Sequence, residues 1–301
     1  MRIVNTFLLY VQHPKKIIAG VVFRLNFLFP DKMYLKIIFW TQMNYKLDLY
    51  HPKTFNEKLQ WLKIYNRKSE YTSMVDKYAV KEYVAKIIGE EYIIPTFGVW
   101  DSPDEIDFGK LPRKFVLKTT NGGGSDGVIV CTDKSKLDLS SVRKKMKKAL
   151  KLNIYSLYRE WPYKNVKHRI IAEHLLEVDG DTNIDDYKLF CFNGTVKLFK
   201  IDFDRHAMHK ANYYDPKLNL LDLQEDVCPP DYNRPIKMPT NINKMIELAE
   251  VLSKDVPFVR IDFYNINGKI YFGEITFFPA GGLGTFTPRE WDIKLGEYIK
   301  L

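Results

Sequence analysis

The chain has 301 residues, is 46% apolar and carries a net charge of +9, enough material for one large domain or two medium ones with a real core. It shows no low-complexity tract and no repeat period, which excludes a disordered, collagen-like or solenoid protein. Its three cysteines, Cys131, Cys191 and Cys228, stand far apart without a CxxC pair, which excludes a common zinc site and points to a reducing compartment.

The surplus cations need a partner, and nucleic acid, an anionic membrane or a phosphorylated small molecule would each serve. Arg2, Lys15, Lys16, Arg24, Lys32, Lys36 and Lys46 punctuate an apolar N-terminus, and "RKKMKK" (143–148) is a second run. "FLLYV" is too short for a signal h-region and no small-residue cleavage site follows. "IIAGVVFRLNFLF" (17–29) is too short to span a bilayer and contains Arg24, so no transmembrane helix is expected. Two readings remain: an interfacial helix against anionic headgroups, or helices packed on the protein's own core.

Residues 1–70 read helical. "TFNEKLQWL" opens with Thr54 and Glu57 at capping-box spacing. Ser73 and Asp76 form a second such pair, opening "MVDKYAVKEYVAKII", which Gly89 ends. "YIIPTFGVW" and "KFVLKTT" read as strands, "NGGGSDG" as a loop and "VIVCT" as a strand. "LSSVRKKMKKALKLN" is a basic helix capped by Ser140 or Ser141. "RIIAEHLL", "DYKLFCFNG" and "TVKLFKIDF" are strands, with Asn193-Gly194 a hairpin turn. "NKMIELAEVLS" is a helix, and "FVRIDFY", "NING" and "KIYFGEITFF" form a last hairpin. Hairpins outweigh βαβ units, so the class is α+β.

"FVLKTTNGGGSDGVIV" (115–130) satisfies G-x-G-x-x-G through Gly122, Gly124 and Gly127. A dinucleotide turn needs a helix after the last glycine; here Val128, Ile129 and Val130 continue as a strand. The Gly-Lys-Ser/Thr end of a P-loop is absent, as is the kinase His-Arg-Asp motif. Strand, glycine loop, strand is the form of a flap whose N–H groups cover phosphates; an unliganded hairpin tip is the plainer alternative. Lys118 on the entering strand, Lys77 in the first turn of a capped helix and Lys188 in "DYKLFCF" are the cations the flap can close on.

In the last hairpin, strand alternation puts Arg260 and Asp262 on one face, and Glu274 and Thr276 on a face with Ile270 and Phe272. A three-residue Ile-Asn-Gly loop sets Glu274 opposite Arg260, with Asp262 on the diagonal. Two carboxylates and an arginine suit Mg²⁺ bridging polyphosphate; an Arg260–Glu274 ion pair on a wet face is the other reading. "ITFFPAGGLG" follows, small residues that let a substrate approach the backbone.

This order of parts resembles the ATP-grasp superfamily, in particular the TupA-like branch of bacterial surface-polysaccharide and teichuronopeptide biosynthesis, over roughly residues 50–290. It rests on "TFNEKLQWLKIYNR", "VDKYAVKEYV", "LPRKFVLKTTNGGGSDG", "IIAEHLLE", "DYKLFCFNG" and "VRIDFYNINGKIYFGEITFFPAGG". The resemblance implies an ATP-grasp fold, two α+β subdomains sandwiching ATP. Its divisions would be a helical N-terminal region 1–70, a helix and strand 71–112, a small subdomain 113–176 with the flap, and a large subdomain 177–301 with the metal hairpin. ATP and Mg²⁺ are the cofactors it implies.

By the same resemblance Lys77 and Lys118 hold ATP phosphates, and Gly122, Gly123, Gly124, Ser125, Asp126 and Gly127 form the flap. Glu173, His174, Leu175 and Leu176 are the hinge reading adenine, and Glu177 or Asp179 holds ribose. Lys188 faces the γ-phosphate, Arg260 is the transition-state arginine, and Asp262 and Glu274 are Mg²⁺ ligands. Where many relatives carry Asn, this chain has Thr276, a weaker magnesium ligand.

The implied reaction is ATP-dependent ligation: a carboxylate becomes an acyl phosphate and an amine then attacks it. Sugar phosphorylation at the same ATP site, or a non-catalytic basic scaffold, are the alternatives. "FDRHAMHKANYYD" (203–215) offers Arg205, His206, His209 and Lys210 for an anionic sugar or amino-acid substrate, free or on a lipid-linked glycan, and Gly281 and Gly282 can border it. No other ligand gathers near His206 and His209 in sequence to make zinc. RNA- and DNA-binding signatures are absent, so no nucleic-acid partner is expected. The expected location is cytoplasmic, with possible peripheral contact with the inner membrane face.

Overall fold

The computed structural model describes residues 14–124, 126–204, 208–226 and 228–301; Arg2, Ser125, Arg205 and His206 lie outside them. Two N-terminal helices, α1 (Pro14–Arg24) and α2 (Asp31–Met43), share a small core of Val22, Tyr34, Leu35, Ile38 and Phe39. Helix α3 (Phe55–Tyr65) begins with the expected box: Thr54 Oγ1 accepts the Glu57 N–H, and Glu57 accepts the Thr54 N–H at 3.1 Å.

The second expected box does not form. The segment breaks into α4 (Glu70–Val75) and α5 (Ala79–Ile88), with Asp76 extended between them (ψ 112°). Ser73 lies inside α4 rather than ahead of a helix, and its hydroxyl donates to the Glu70 carbonyl. The Asp76 carboxylate caps α5, accepting the N–H groups of Tyr78 and Ala79, and pairs with Arg169 at 3.0 Å. Lys77 therefore sits in a pinned turn, not in the first turn of a helix. Gly89, at φ 116°, closes α5 as expected.

Strands β1 (Thr96–Trp100), β2 (Phe115–Thr119), β3 (Val128–Cys131) and β4 (Ile170–Glu173) form an antiparallel sheet in the order β1-β4-β2-β3. The glycine loop joins β2 to β3, with Lys118 opposite Val128 and the Thr119 N–H on the Gly127 carbonyl. A strand does follow the glycines. Helix α6 (Leu139–Leu150) packs Val142 and Met146 on this sheet. Its cap is Asp138, not Ser140 or Ser141: the Asp138 carboxylate accepts both serine N–H groups. Helix α7 (Ile154–Tyr158) leads to β4.

The larger sheet holds β5 (Asp186–Phe192), β6 (Thr195–Phe203), β7 (Lys210–Tyr214), β8 (Leu220–Leu221), β10 (Phe258–Ile266) and β11 (Lys269–Thr276) in the order β11-β10-β5-β6-β7-β8. Outside it, β9 (Gln224–Glu225) pairs with β12 (Phe286–Thr287). Helix α8 (Ile242–Leu252) supplies Met245, Leu248, Ala249 and Leu252 to the main core, and α9 (Glu290–Tyr298) adds Leu295. Asn193-Gly194 is the expected two-residue turn, with φ of 50° and 77°. The other sheet face is shared. Phe55 of α3 covers Phe192 and Phe258, while Asp186, Lys188 and Asp262, further along the same strands, line an open cleft.

The register of the last hairpin differs from the expected one. Its turn has two residues, Asn267 and Gly268 (φ 51° and 84°), pairing Ile266 with Lys269. A bulge at Gly273 then shifts the ladder, so Asp262 lies opposite Glu274 and Arg260 opposite Thr276. Because side chains alternate, the extra residue turns Glu274 and Thr276 away from the face of Phe272, which packs on Phe263. A side chain is crowded there: a Cβ would lie 3.1 Å from the Asp262 carbonyl and 3.2 Å from the Tyr264 ring.

Candidate nucleotide and metal site

The two sheets face one another across a cavity of about 600 Å³. From the smaller sheet come Lys118 and Glu173 on adjacent strands, with Lys81 of α5 reaching the same carboxylate. Glu173 holds Lys118 at 2.7 Å and Lys81 at 2.5 Å, all three well shielded from water. Burial acts to lower the Lys118 pKa, but Glu173 overrides it and holds the amine above the ordinary lysine value. For Lys81 burial wins and the value falls. Burial pushes the Glu173 carboxyl up, yet the two ammoniums bring it below its ordinary value. The trio sets two amines against one carboxylate.

The larger sheet presents successive cross-strand rows. Glu274, Asp262, Lys188 and Lys200 stand abreast on four strands; Tyr264, Asp186 and Asp202 form the next row. Arg260 grips Asp262 with two N–H groups at 2.7 and 2.6 Å and also reaches Glu274 at 3.2 Å and Thr276 at 3.1 Å. Lys188 is bonded to Asp186 and lies 3.1 Å from Asp262 and 3.7 Å from Asp202. Burial opposes charge on Arg260 and Lys188; Asp262 for the first and Asp186 for the second outweigh it, raising both values. Burial also pushes the Asp262 carboxyl up against the pull of Arg260 and Lys188. Glu274 goes the other way: burial is overcome by Lys77 and Arg260, and its value falls well below the usual carboxylate range.

Lys77 links the two sides. Its N–H meets the Thr120 carbonyl just after β2, and its ammonium lies 3.1 Å from Glu274 on β11.

Of the residues singled out from sequence, Lys77, Lys118, Gly124, Asp126, Glu173, His174, Leu175, Leu176, Lys188, His209, Asp262 and Glu274 line this one cavity. Glu173 is there through its carboxylate, between two lysines. Arg260 and Thr276 stand behind Asp262 and Glu274, bonded to both or one of them. Gly122, Gly123 and Gly127 lie outside the lining, and so does Asp179, at φ 51°. Glu177 is held by Lys114 at 2.7 Å, also away from the cavity.

Gly281 and Gly282 do not border the cleft. Their carbonyls accept from Lys63 and Gln60 of α3, both at 2.6 Å, and a Cβ on either would strike Tyr158 or Gln60. The turn is a buried weld onto α3, not an open approach for substrate.

Sequence reading passed over Lys81, Asp186, Lys200, Asp202 and Glu225. The alternation that exposed Arg260 and Asp262 also marks Asp186/Lys188 and Lys200/Asp202, each an i, i+2 charged pair in an apolar strand. Nor did it find partners for His209, whose Nε2 lies 3.2 Å from Asp202; Asp202, His209 and Cys228 offer atoms within 4.8 Å of one another. Asp202 is shared with Lys200 at 3.6 Å, and burial pushes the Cys228 thiol up to about 11.

Two facing sheets, a glycine loop between strands of one and paired carboxylates with an arginine on the other define the ATP-grasp class of proteins. Within that class the chain belongs to the TupA-like ATPgrasp family, whose sequence model matches residues 57–300. ATP and Mg²⁺ are the cofactors typical of these proteins. No functionally curated protein matches the sequence.

Among solved structures the chain is similar to the D-alanine–D-alanine ligase of Helicobacter pylori, with 17% identity, 81% of this chain and 69% of that one covered, and a TM-score of 0.45. It is also similar to the ATP-grasp ligase PsnB with a precursor variant, Mg and ADP (8%, 74% and 58%, 0.40). A third is the Staphylococcus aureus N5-carboxyaminoimidazole synthetase with ADP (15%, 74% and 52%, 0.40). The chain spans little more than half the length of the last two, and all three are similarities of fold.

The side chains fit the cofactors. The carboxylates Asp262 and Glu274 are hard oxygen donors of the kind Mg²⁺ takes, and buried ammoniums opposite suit phosphate oxygens. Acids and bases here neutralise each other now. They can exchange partners for metal and phosphate without leaving a buried charge alone.

Proposed function

We propose that the protein is an ATP- and Mg²⁺-dependent ligase that activates a carboxylate as an acyl phosphate and joins it to an amine, in building a bacterial surface polysaccharide. The observation that carries this reading is the pairing across one cavity of Lys118–Glu173–Lys81 with Arg260–Asp262–Glu274 and Lys188. Family membership supports the ATP-dependent ligase chemistry, and the polysaccharide setting is carried by the sequence resemblance alone.

In this reading residues 113–176 carry the flap and 177–301 the metal hairpin, and Lys77, Lys81 and Lys118 hold the triphosphate. Mg²⁺, held by Asp262 and Glu274, supplies charge neutralisation at the phosphate oxygens. Arg260 and Lys188 stabilise charge on the phosphoryl group as it passes from ATP to a carboxylate oxygen, releasing ADP. The amine nitrogen then bonds to the acyl carbon, phosphate leaves, and the amine gives up a proton. In this reading the anionic acceptor sits at the end of the cavity lined by His209, just before β7. The glycine loop keeps water from hydrolysing the activated acid.

The test is thermal unfolding with a non-hydrolysable ATP analogue, with and without Mg²⁺. Stabilisation that needs Mg²⁺ and disappears in Glu274→Ala is expected; no shift in the wild type would sink the reading. ADP release with a peptide-like mass gain on a uronic-acid glycan plus amino acid marks a ligase, and a phosphate on the sugar marks a kinase.

A further inference from the structure

Helix α1 has two apolar faces. Ala19, Val22 and Phe23 turn inward onto α2, whereas Ile17, Val21 and Leu25, one turn apart on the other side, are 41, 49 and 38% exposed. The bend that follows carries Phe27 and Leu28, 76 and 61% exposed, and Met33 at the start of α2 is 45% exposed. A helix that is apolar on its solvent side has a face its own fold does not use.

The hairpin that carries this patch is basic. Between residues 14 and 46 stand Lys15, Lys16, Arg24, Lys32, Lys36 and Lys46 against one acid, Asp31. Asp31 is already spent, paired with Arg67 at 2.6 Å and Arg159 at 3.1 Å. The hairpin is therefore cationic along its length, with Arg24 and Lys32 flanking the apolar bend in sequence and Lys15, bonded to Asn44 at 2.8 Å, at its other end. Among the described residues no helix is long and apolar enough to cross a membrane, so the hairpin can lie on a bilayer but not span it.

We infer that the α1–α2 hairpin docks on an anionic phospholipid surface, Phe27 and Leu28 entering the acyl boundary and the hairpin's lysines and Arg24 meeting headgroup phosphates. Charge decides between this occupant and a second copy of the chain. Pairing two such hairpins would bring two sets of six cations together, whereas anionic headgroups match them. The inference stands apart from the nucleotide site, because none of these residues lines the cleft.

The experiment is co-sedimentation of the full chain with vesicles holding about 30% phosphatidylglycerol, and with pure phosphatidylcholine, at about 0.1 and 0.5 M salt. Wild type is expected to pellet with the anionic vesicles at low salt and to stay in solution with the neutral ones. Phe27→Asp combined with Leu28→Asp should bind at least about tenfold less while unfolding at the wild-type temperature, since both side chains are exposed. Lys16→Glu with Arg24→Glu should reduce binding to the anionic vesicles alone. The inference is overturned by wild type that ignores anionic vesicles, by equal binding of the Phe27/Leu28 variant, or by a light-scattering dimer that this variant disperses.

Discussion

The two sides of the cleft are built from the same residue types and carry opposite charge. On the smaller sheet Glu173 serves two lysines, leaving a surplus cation. On the larger sheet Asp186, Asp262 and Glu274 surround Lys188 and Arg260, a surplus of one acid that Lys77 balances from the seam. The difference assigns work: the positive side is suited to polyphosphate and the negative side to the metal. It also explains how so many charges stay buried, since each is bonded to at least one of opposite sign.

The strongest way to break the comparison is to unbalance the acidic side. Asp262→Asn leaves Arg260 without its forked partner and weakens the hold on Lys188, and should cost about 3–5 kcal/mol, read as a melting temperature lower by roughly 10 °C. Removing the cation across the cleft should spare the fold more and the ligand less. Lys118→Met, which leaves Glu173 on Lys81, should weaken binding of an ATP analogue about 100-fold by calorimetry, equivalent to about 2.7 kcal/mol. That loss should be similar with and without Mg²⁺; a loss confined to Mg²⁺ conditions would mean that the two sides are not divided as described.

Gly273→Ala tests the bulge that aims Glu274. Its Cβ must push back the Asp262 carbonyl or the Tyr264 ring by a few tenths of an ångström, for about 1–2 kcal/mol of stability and a weaker Mg²⁺ response. The smallest effect expected is on pH dependence. Glu173 and Glu274 have lowered values in the fold, so their stabilisation is present above the ordinary 4.5 and is lost as pH falls through their folded values. Glu173→Gln should flatten the decline of melting temperature on acidification below that point, and an unchanged acid limb would show that the trio is not ionised.

Much of this site was legible because its residues sit in strands. Lys118, Lys188, Arg260 and Asp262 interrupt apolar runs at period-two positions, and alternation alone puts them on a common face. The hairpin register was not legible: a three-residue loop and a two-residue turn both suit "NING", and the Gly273 bulge has no local signature beyond one glycine. The second capping box failed for a related reason. Spacing offered Asp76 as a partner for Ser73, whereas Arg169, just before β4 and 93 residues away, helps hold it as the cap of the next helix. Gly281 and Gly282 looked open because small residues permit approach; only packing shows that α3 has already taken it up.

The sequence by itself determined the α+β class, the strand–glycine loop–strand hairpin, and the charged positions from which the cleft is made. These follow from periodicity and turn chemistry, which act within a few residues. The tertiary structure decided which charges meet. Glu173 came to lie between Lys81 and Lys118, Lys77 reached across to Glu274, and the row from Glu274 to Lys200 was assembled from four strands. Such pairings depend on register and sheet order, and these are settled by the burial of whole faces, which acts across the full length of the chain.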